Sequence, residues 1–546
     1  MTTSRRRLLQ AGASLAAASA TSHAWAAALP GARRPAPDAA PRPSDAVLSR
    51  LDTSELAAHV RLAESAVEAA RKLGARYAEA RLAENAWEFV GIRDRAVSRV
   101  GRNVFRGIGL RVLVGDGWGF AATGDLGRAG AAELARRAVE VARAQDAMRR
   151  AFRDPMPVRL APVDAVTGRW VAPHEKDPLD VPVADKAALL VEAASRALEV
   201  PGVARVTAGV RSVREEKIVV TSDGVRVHQR YVRVFPQFTA VAVDRRRGRF
   251  ESRAHEAPPM LAGWEYVEDL ALVDDAPRIG EEAVQKLHAA VVEPGRMHVV
   301  LAPSNLWLVI HESIGHPTEL DRAIGMEANF AGTSFLRPED TGKRRIGSDI
   351  VHLVADRTQP GGLATTGWDD EGVPAGRWDI VRDGIFVGWQ TTREQAAWIG
   401  ESRSRGCAHA DAFDAVTFQR MPNVSLQPGE APLTTEDLIA ATDRGVYVTG
   451  RGSWSIDHQR YNFQFGGQFF WEIENGRLTR PLRDVAYQAN TVDFWSSCDM
   501  IGGPGTYRLG GTFSDGKGEP GQSNAVSHGC PPARFVANVL VAGGGH

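Results

Sequence analysis

The feature that most constrains this chain is the sequence HESIGH at residues 311–316, which follows the apolar run 306–310. Its two histidines are five positions apart, a spacing that sets two side chains about 140° apart around a straight α-helix. Two ligands cannot share one ion across that angle. The helix must therefore carry an extra residue as a π-bulge or loosen at its end. Gly315 permits either, and Pro317 disfavours continuation of the helix beyond His316.

The same segment carries the residue types of a metallopeptidase site. Neutral imidazole is the commonest metal ligand among protein side chains, so His311 and His316 are candidate ligands of a divalent ion. Glu312, beside the first histidine, is the candidate general base that takes a proton from water. The alternative is a buried helix end with two incidental histidines, since a pattern this short recurs by chance.

The composition is that of an ordinary soluble protein. The chain has 546 residues, enough for two or more domains, with 44% hydrophobic and 24% charged residues. Its formal net charge is zero, so nothing favours nucleic acid or an anionic membrane as a partner. The three cysteines, at 407, 498 and 530, form no disulfide framework, although one bridge remains open.

Residues 1–26 are predicted to be a twin-arginine-type signal peptide. The sequence SRRRLL at 4–9 places paired arginines before two leucines and an alanine-rich stretch, and the sequence AWA at 24–26 offers a small-x-small cleavage site. The apolar stretch is too short to serve as a permanent membrane anchor. An arginine-rich disordered tail is the alternative.

Residues 27–49 contain five prolines and are predicted to form a Pro-rich flexible linker. Twin-arginine export carries folded proteins, so a metal site would be assembled before export. We therefore expect the mature protein in the periplasm or outside the cell.

The remaining sequence predicts an α+β protein. Alternating apolar residues over 105–113 indicate a strand, Asp223-Gly224 indicates a two-residue hairpin turn, and helical patterns occur between the strands. This predicts a mixed α/β N-terminal domain over 50–293. Pro294-Gly295 then breaks the chain, and a β-rich domain carrying the HESIGH helix is predicted over 294–546.

Several further motifs occur in a fixed order and together resemble the TldD/PmbA family of metallopeptidases, in particular the TldD-like branch with HExxxH. The resemblance runs from about 77 to 543. Each motif alone is weak, but their joint order makes chance agreement improbable. The motifs are RGIGLR at 106–111, HESIGH, DDEGVP at 369–374, RMPN at 420–423, ENG at 474–476, GKGEPGQ at 516–522 and SHGCPP at 527–532.

The resemblance implies a zinc peptidase that acts on unfolded or flexible peptides. It also implies dimers, often of one active and one inactive-type subunit. Because this chain has HExxxH, the resemblance implies the active type, as a homodimer or as a heterodimer with a related subunit.

The chain departs from the family at the third metal ligand. The family usually has a cysteine just before the Gly-Lys-Gly stretch, and this chain has Asp515 there. We therefore predict His311, His316 and Asp515 as metal ligands. A carboxylate makes the site harder, so Mn²⁺ or Fe²⁺ becomes acceptable beside Zn²⁺. Alternatives are His528 or Cys530 as third ligand, with Asp515 as a turn residue before Gly516.

Other acidic residues lie near the motif or in a separate loop. Glu319 and Asp321 are expected to accept the spare ring N–H of a ligand histidine or to fix the loop, with a solvated acidic turn as the alternative. The acidic run 369–371 is interpreted as a charged loop in preference to a second metal site.

The predicted function is a metal-dependent peptidase with Glu312 as catalytic residue. Glycine-rich strands after residue 460 leave main chain accessible, so an extended peptide is expected to bind by strand addition. The competing hypothesis is a metal-free, inactive partner subunit, which the missing cysteine favours and the retained Glu312 opposes. A third hypothesis is another metal hydrolase, such as an amidase acting on a modified peptide.

Overall fold

The computed structural model describes residues 53–151 and 157–542. The signal peptide and linker predicted within 1–49 lie outside the described residues. The predicted α+β class is confirmed, because helices accompany two large, mostly antiparallel sheets. In the two described ranges, no helix is long and apolar enough to cross a bilayer.

The first half of the chain forms one sheet of seven strands, called here the N-terminal sheet. Its strands are β1 Tyr77–Arg93, β2 Ala96–Val114, β3 Gly117–Thr123, β4 Thr167–Val171, β5 Val203–Thr221, β6 Arg226–Asp244 and β7 Arg249–Ala254. They lie in the order β3-β2-β1-β5-β6-β4, with β7 paired to β6. The predicted hairpin is confirmed as the β5–β6 turn, where Gly224 has a φ of 92° that favours glycine.

Helices cover the N-terminal sheet through small side chains. They are α1 Thr53–Lys72, α2 Arg128–Ala151, α3 Val183–Leu198, α4 Glu265–Asp269 and α5 Leu272–Leu287. Buried alanines of α1 and α2 pack on Leu82, Ile108 and Leu110 of the sheet. A second core unites α3 and α5 with Val210 and Phe238. Alanine permits this close approach because it adds little volume between helix and strand.

The second half is dominated by a ten-stranded sheet, called here the C-terminal sheet. Its strands are β8 Ala290–Val291, β9 Gly295–Leu301, β16 Arg444–Thr449, β17 Trp454–Ile456, β18 Asn462–Gly466, β19 Phe469–Glu474, β20 Arg477–Arg483, β21 Val485–Asn490, β22 Met500–Ile501 and β25 Ala533–Val541. They lie in the order β17-β18-β21-β25-β9-β16-β19-β20-β8, with β22 paired to β25.

Smaller elements complete this half. They are β10 Leu353–Asp356, β11 Arg377–Arg382, β12 Ile385–Phe386 and β15 Asn423–Leu426 in one sheet, β13 Ala408–His409 with β14 Phe418–Gln419, and the hairpin β23 Arg508–Lys517 with β24 Gln522–Cys530. The helices are α6 Pro303–Ile310, α7 Leu320–Ala323, α8 Arg393–Trp398, α9 Thr435–Ala440 and α10 Thr491–Ser496. All residues of α6 are buried, and α6 packs against both β23 and β24.

Buried ion pairs join the N-terminal sheet to the second half. The Lys217 ammonium on β5 lies 3.1 Å from an Asp370 oxygen and 3.1 Å from a Glu215 oxygen. Arg111 on β2 lies 2.7 Å from a Glu371 oxygen. Because all five side chains are nearly excluded from water, each charge depends on its partner, and the pairs fix how the halves meet.

Lys217→Met should therefore destabilise the protein by about 3–5 kcal/mol, because Asp370 would lose a buried counter-charge. Urea unfolding followed by circular dichroism measures the change. Arg136→Met is the matched control, since Arg136 pairs with two glutamates on the exposed face of α2 and should leave the midpoint unchanged. Equal midpoints for Lys217→Met and the natural protein would show that the buried pairs do not hold the halves together.

Candidate active site

The HESIGH segment forms one wide turn at the end of α6. Residues His311–Gly315 are π-helical, and His316–Thr318 continue as a 3₁₀ turn. The predicted π-bulge is thus confirmed, and it brings the two histidine ring centroids to 4.5 Å. A Cβ on Gly315 would lie 2.5 Å from the Met421 sulfur, so any other residue there would require the buried Met421 side chain to move.

Asp515 on β23 completes a three-residue cluster with these histidines. Its Oδ1 lies 3.6 Å from Nε2 of His311 and 3.6 Å from Nε2 of His316. Ligand atoms held at about 2.0–2.2 Å by a tetrahedral zinc lie about 3.3–3.6 Å apart. The three atoms therefore fit one ion. Within the described ranges, this is the one group of three His, Cys, Asp or Glu side chains with such spacing.

His528 on β24 fixes the tautomer of His311. The Nδ1 of His528 lies 2.8 Å from the Val424 carbonyl oxygen and donates to it, so its Nε2 carries a lone pair. That Nε2 lies 2.8 Å from Nδ1 of His311, which must donate the proton between them. Burial and the nearby His311 hold the pKa of His528 well below its usual range, which keeps its ring neutral. The Nε2 of His311 is therefore free to bind a metal.

Glu319 fixes the tautomer of His316. Its Oε2 lies 2.9 Å from Nδ1 of His316. Burial alone would raise the pKa of Glu319, but Lys517, Arg322 and His316 outweigh it and hold the pKa well below its usual range. An ionised carboxylate only accepts, so Nδ1 carries the proton and Nε2 faces Asp515 with its lone pair. Burial also lowers the pKa of His316 to about 4, so the ring is neutral at neutral pH.

Glu319 thus accepts the spare ring N–H as expected, whereas Asp321 takes the other expected role and fixes the loop, where it also accepts from the Arg322 backbone N–H. Asp321 is buried, but it accepts at 2.9 Å from the Lys517 ammonium and contacts neither ligand histidine. Lys517 also donates to Glu319 at 3.1 Å. The role of Asp321 is therefore to hold Lys517, which in turn holds the carboxylate that orients His316.

Arg420 contacts both the main chain and the carboxylate of Asp515. Its Nη2 donates to the Asp515 carbonyl and lies 3.4 Å from Oδ2 of the carboxylate. Burial alone would raise the pKa of Asp515, but His316, His311 and Arg420 outweigh it and lower the pKa. Oδ1 therefore carries charge at neutral pH and faces the two histidine nitrogens.

Glu312 lies beside this cluster and is paired with Arg460. Both side chains are mostly buried, and an Arg460 nitrogen donates to Oε2 of Glu312. Burial would raise the pKa of Glu312, but His316, Arg460 and His311 outweigh it, so the pKa is lowered. Arg460 has a φ of 62°, a left-handed conformation that is uncommon outside glycine. The backbone is therefore strained at Arg460, the residue whose guanidinium pairs with the candidate base Glu312.

The structure separates the alternative ligands from the cluster. The Nε2 of His528 accepts from Nδ1 of His311, whereas the opposite ring nitrogen of His311, Nε2, faces Asp515. Cys530 is buried in the core with its sulfur 3.7 Å from the Pro303 carbonyl oxygen. Cys407 and Cys498 are likewise buried thiols. No two of these three described cysteines form the disulfide that the sequence left open.

The acidic run 369–371 is a charged loop, as predicted. Asp370 and Glu371 pair with Lys217 and Arg111. The Asp369 oxygens accept backbone N–H groups of Glu371, Val373 and Ala408. Asp370 and Glu371 are thus used in joining the two halves and Asp369 in holding the loop backbone, so a second metal site there has no support.

Sequence reasoning missed three supporting cations, namely Arg420, Arg460 and Lys517. Lys517 and Arg420 lie within recognised motifs, which was the available signal for them. Arg460 lies in no motif, and its contact with Glu312 depends on a turn between two strands.

Family models of PmbA/TldA metallopeptidases match most of the chain. The model of domain 1 matches residues 78–142, the central domain 176–291, and the C-terminal domain 294–543. The cluster described above falls within the last of these matches.

Individual relatives agree with these matches. A protein named metalloprotease from Methanothermobacter thermautotrophicus is 29% identical over 467 residues, covering 86% of this chain and 95% of the relative. A zinc metalloprotease TldD homolog from Saccharolobus solfataricus is 26% identical over 253 residues, covering 45% of this chain and 52% of the relative. The crystal structure of TldE from Thermococcus kodakarensis has a TM-score of 0.63 at 18% identity, covering 88% of this chain and 100% of that structure, and shows the shared fold.

Proposed function

The chain belongs to the PmbA/TldD family of metallopeptidases, and we propose that it is an active, metal-dependent peptidase that hydrolyses unfolded or flexible peptides. One observation carries the proposal. The Nε2 atoms of His311 and His316 each lie 3.6 Å from the Asp515 carboxylate oxygen, all three atoms lie within 4.8 Å of one another, and Glu312 is beside them. A decayed site would have no reason to keep this arrangement of tautomers and charges.

His311, His316 and Asp515 would hold the metal. A divalent ion at these residues would lower the pKa of water and polarise the scissile carbonyl. Zinc is the first candidate, since one relative is named a zinc metalloprotease. Two imidazoles and a carboxylate also suit manganese or iron better than a site with a thiolate does.

Four other side chains have roles in the proposed mechanism. Glu312 takes the proton of the attacking water and later gives it to the leaving amine. Arg460 keeps the Glu312 carboxylate ionised before the reaction. His528 and Glu319 hold the two ligand rings in the tautomers that expose Nε2. These contacts exist in the folded chain and need no rearrangement to form.

We further propose that the peptide binds as an added strand on β17. Among the described strands, β17 pairs only with β18, so its other edge keeps free N–H and C=O groups. The loop before β17 contacts Trp307, one helical turn before His311. Main-chain recognition suits flexible peptides of varied sequence, because folded proteins do not offer an isolated strand.

We also propose a dimer, with a second copy or a related subunit. One protein with the same fold is TldE from Thermococcus kodakarensis. On this chain, β2 pairs with β3 only over 108–114. The preceding part of β2 is exposed and includes Val97, Val100 and Val104. An open strand edge with exposed valines suits pairing with another chain.

We also propose that the protein is exported by the twin-arginine route to the periplasm or the outside of the cell. This proposal depends on the paired arginines Arg5 and Arg6.

Hydrolysis of an unfolded protein tests the function directly. The metal-loaded mature chain should degrade reduced, carboxymethylated lactalbumin and leave the native form intact, and a chelator should stop the reaction. Cleavage that persists in excess chelator would contradict a metal-dependent mechanism. Bound metal without any cleavage would favour another metal hydrolase, such as an amidase that requires a modified peptide.

A further inference from the structure

Arg451 is a half-buried cation with no acidic partner. It lies in the turn between β16 and β17. Among the described residues, no carboxylate lies within ion-pair distance of its guanidinium, and its buried Nε has no hydrogen-bond partner. Other buried arginines, such as Arg111 and Arg322, pair with glutamates. An unpaired buried guanidinium is costly, so its retention calls for a ligand from outside the chain.

Two tryptophans hold this guanidinium in place. Its carbon lies 4.3 Å from the Trp454 ring centroid and 5.9 Å from that of Trp307. Stacking on an aromatic face orients the planar group and leaves its N–H edge available. Trp454 is 44% exposed, which is high for so large an apolar side chain. An exposed ring beside an unpaired cation is an arrangement suited to binding a ligand.

The pair lies next to the candidate metal centre. Trp307, which contacts Arg451, lies 6.5 Å from the His311 ring and 6.3 Å from the His528 ring, between centroids. Glu312 is itself paired with Arg460 and forms no ion pair with Arg451. Through Trp307, a ligand of Arg451 would thus lie near the candidate metal centre.

We propose that Arg451 binds a carboxylate of the peptide substrate, so that this enzyme prefers peptides with a negative charge close to the scissile bond. The planar guanidinium matches a carboxylate through two parallel hydrogen bonds. Strand addition on β17 would carry the peptide past Arg451, which precedes that strand. The inference rests on the proposed peptidase function. The carboxylate comes either from an acidic side chain or from the C-terminus of the peptide.

Four matched peptides distinguish the two sources. Each has the same flexible, quenched-fluorescent sequence, with Glu or Gln next to the cleaved bond and a free or amidated C-terminus. A charge-assisted hydrogen bond is worth a factor of about 10–100, so kcat/KM should fall by that factor when the relevant carboxylate is removed. A fall with Gln identifies the side chain, and a fall with the amide identifies the C-terminus.

Arg451→Gln should remove this preference, because all four peptides would then be cleaved at the rate of the neutral one. Arg451→Lys should keep part of it, since the charge remains without the planar fork. Circular dichroism verifies the fold of both variants. Equal kcat/KM for charged and neutral peptides in the natural protein, or a preference unchanged in Arg451→Gln, would overturn the inference.

Calorimetry separates this inference from the peptidase proposal. The same peptides are titrated into metal-loaded Glu312→Gln protein with either Arg451 or Gln at position 451. Tighter binding of the charged peptide only when Arg451 is present supports carboxylate recognition, even if no peptide is hydrolysed. Absence of binding, or binding independent of charge, overturns it.

Discussion

Glutamine in place of Glu312 is expected to lower kcat for peptide hydrolysis by about three orders of magnitude while the metal remains bound. Glutamine has nearly the same shape as glutamate but cannot take a proton from water. The proposed ligand atoms belong to His311, His316 and Asp515, which the substitution leaves in place. Single-turnover hydrolysis and elemental analysis of the same sample measure both quantities.

Glu339→Gln provides the control for this experiment. Glu339 is exposed, with 66% of its side chain accessible, and it lies outside the cluster. Its replacement should leave both kcat and metal content unchanged. Substantial activity in Glu312→Gln would contradict the role of general base. Loss of metal from that variant would instead indicate that Glu312 helps to hold the ion.

Removal of Asp515 should have the second largest effect. Asp515→Ala takes away a whole ligand and should weaken metal affinity by more than the roughly 10–100-fold typical of supporting residues. Asp515→Cys should restore binding, because a thiolate is an equally acceptable ligand with a slightly longer bond. With Co²⁺, the cysteine variant should gain a thiolate-to-metal absorption band that the natural protein lacks.

Ser514→Ala is the control for Asp515, since Ser514 is the exposed neighbour on the same strand. Its metal affinity should equal that of the natural protein. Unchanged affinity in Asp515→Ala would mean that the third ligand lies elsewhere. A Co²⁺ complex of Asp515→Cys without the new band would lead to the same conclusion.

The local part of the site could be predicted from the sequence because it depends on helix geometry. The five-residue spacing of His311 and His316 excludes a straight helix, and the structure has the π-helical turn that this requires. Glu319 lies three residues after His316, which is close enough for a contact within one turn. These inferences do not require knowing how residues distant in the sequence pack.

The long-range part could not be derived in this way. Asp515 was identified only through the family resemblance, because its approach to the histidines depends on how the β23–β24 hairpin packs on α6. The contact of His528 with His311 depends on the same packing. Arg460 adopts a left-handed conformation that its residue type disfavours, so no propensity rule indicates it.

The charge partners of the acidic loop 369–371 could likewise not be predicted from the sequence. The sequence shows three consecutive acids at 369–371 but not what neutralises them. The cations that pair with Asp370 and Glu371, Lys217 and Arg111, lie on strands of the other half of the chain. Only the assembled sheets bring these charges together, so a metal site and a charged loop look alike until the fold is known.

The most direct test of this account is the metal content of the purified mature protein, measured by elemental mass spectrometry. We expect about one zinc, manganese or iron per chain, because His311, His316 and Asp515 present one set of converging ligand atoms. A protein that contains no metal and takes up none on incubation would contradict the account. That result would identify the chain as a metal-free partner subunit.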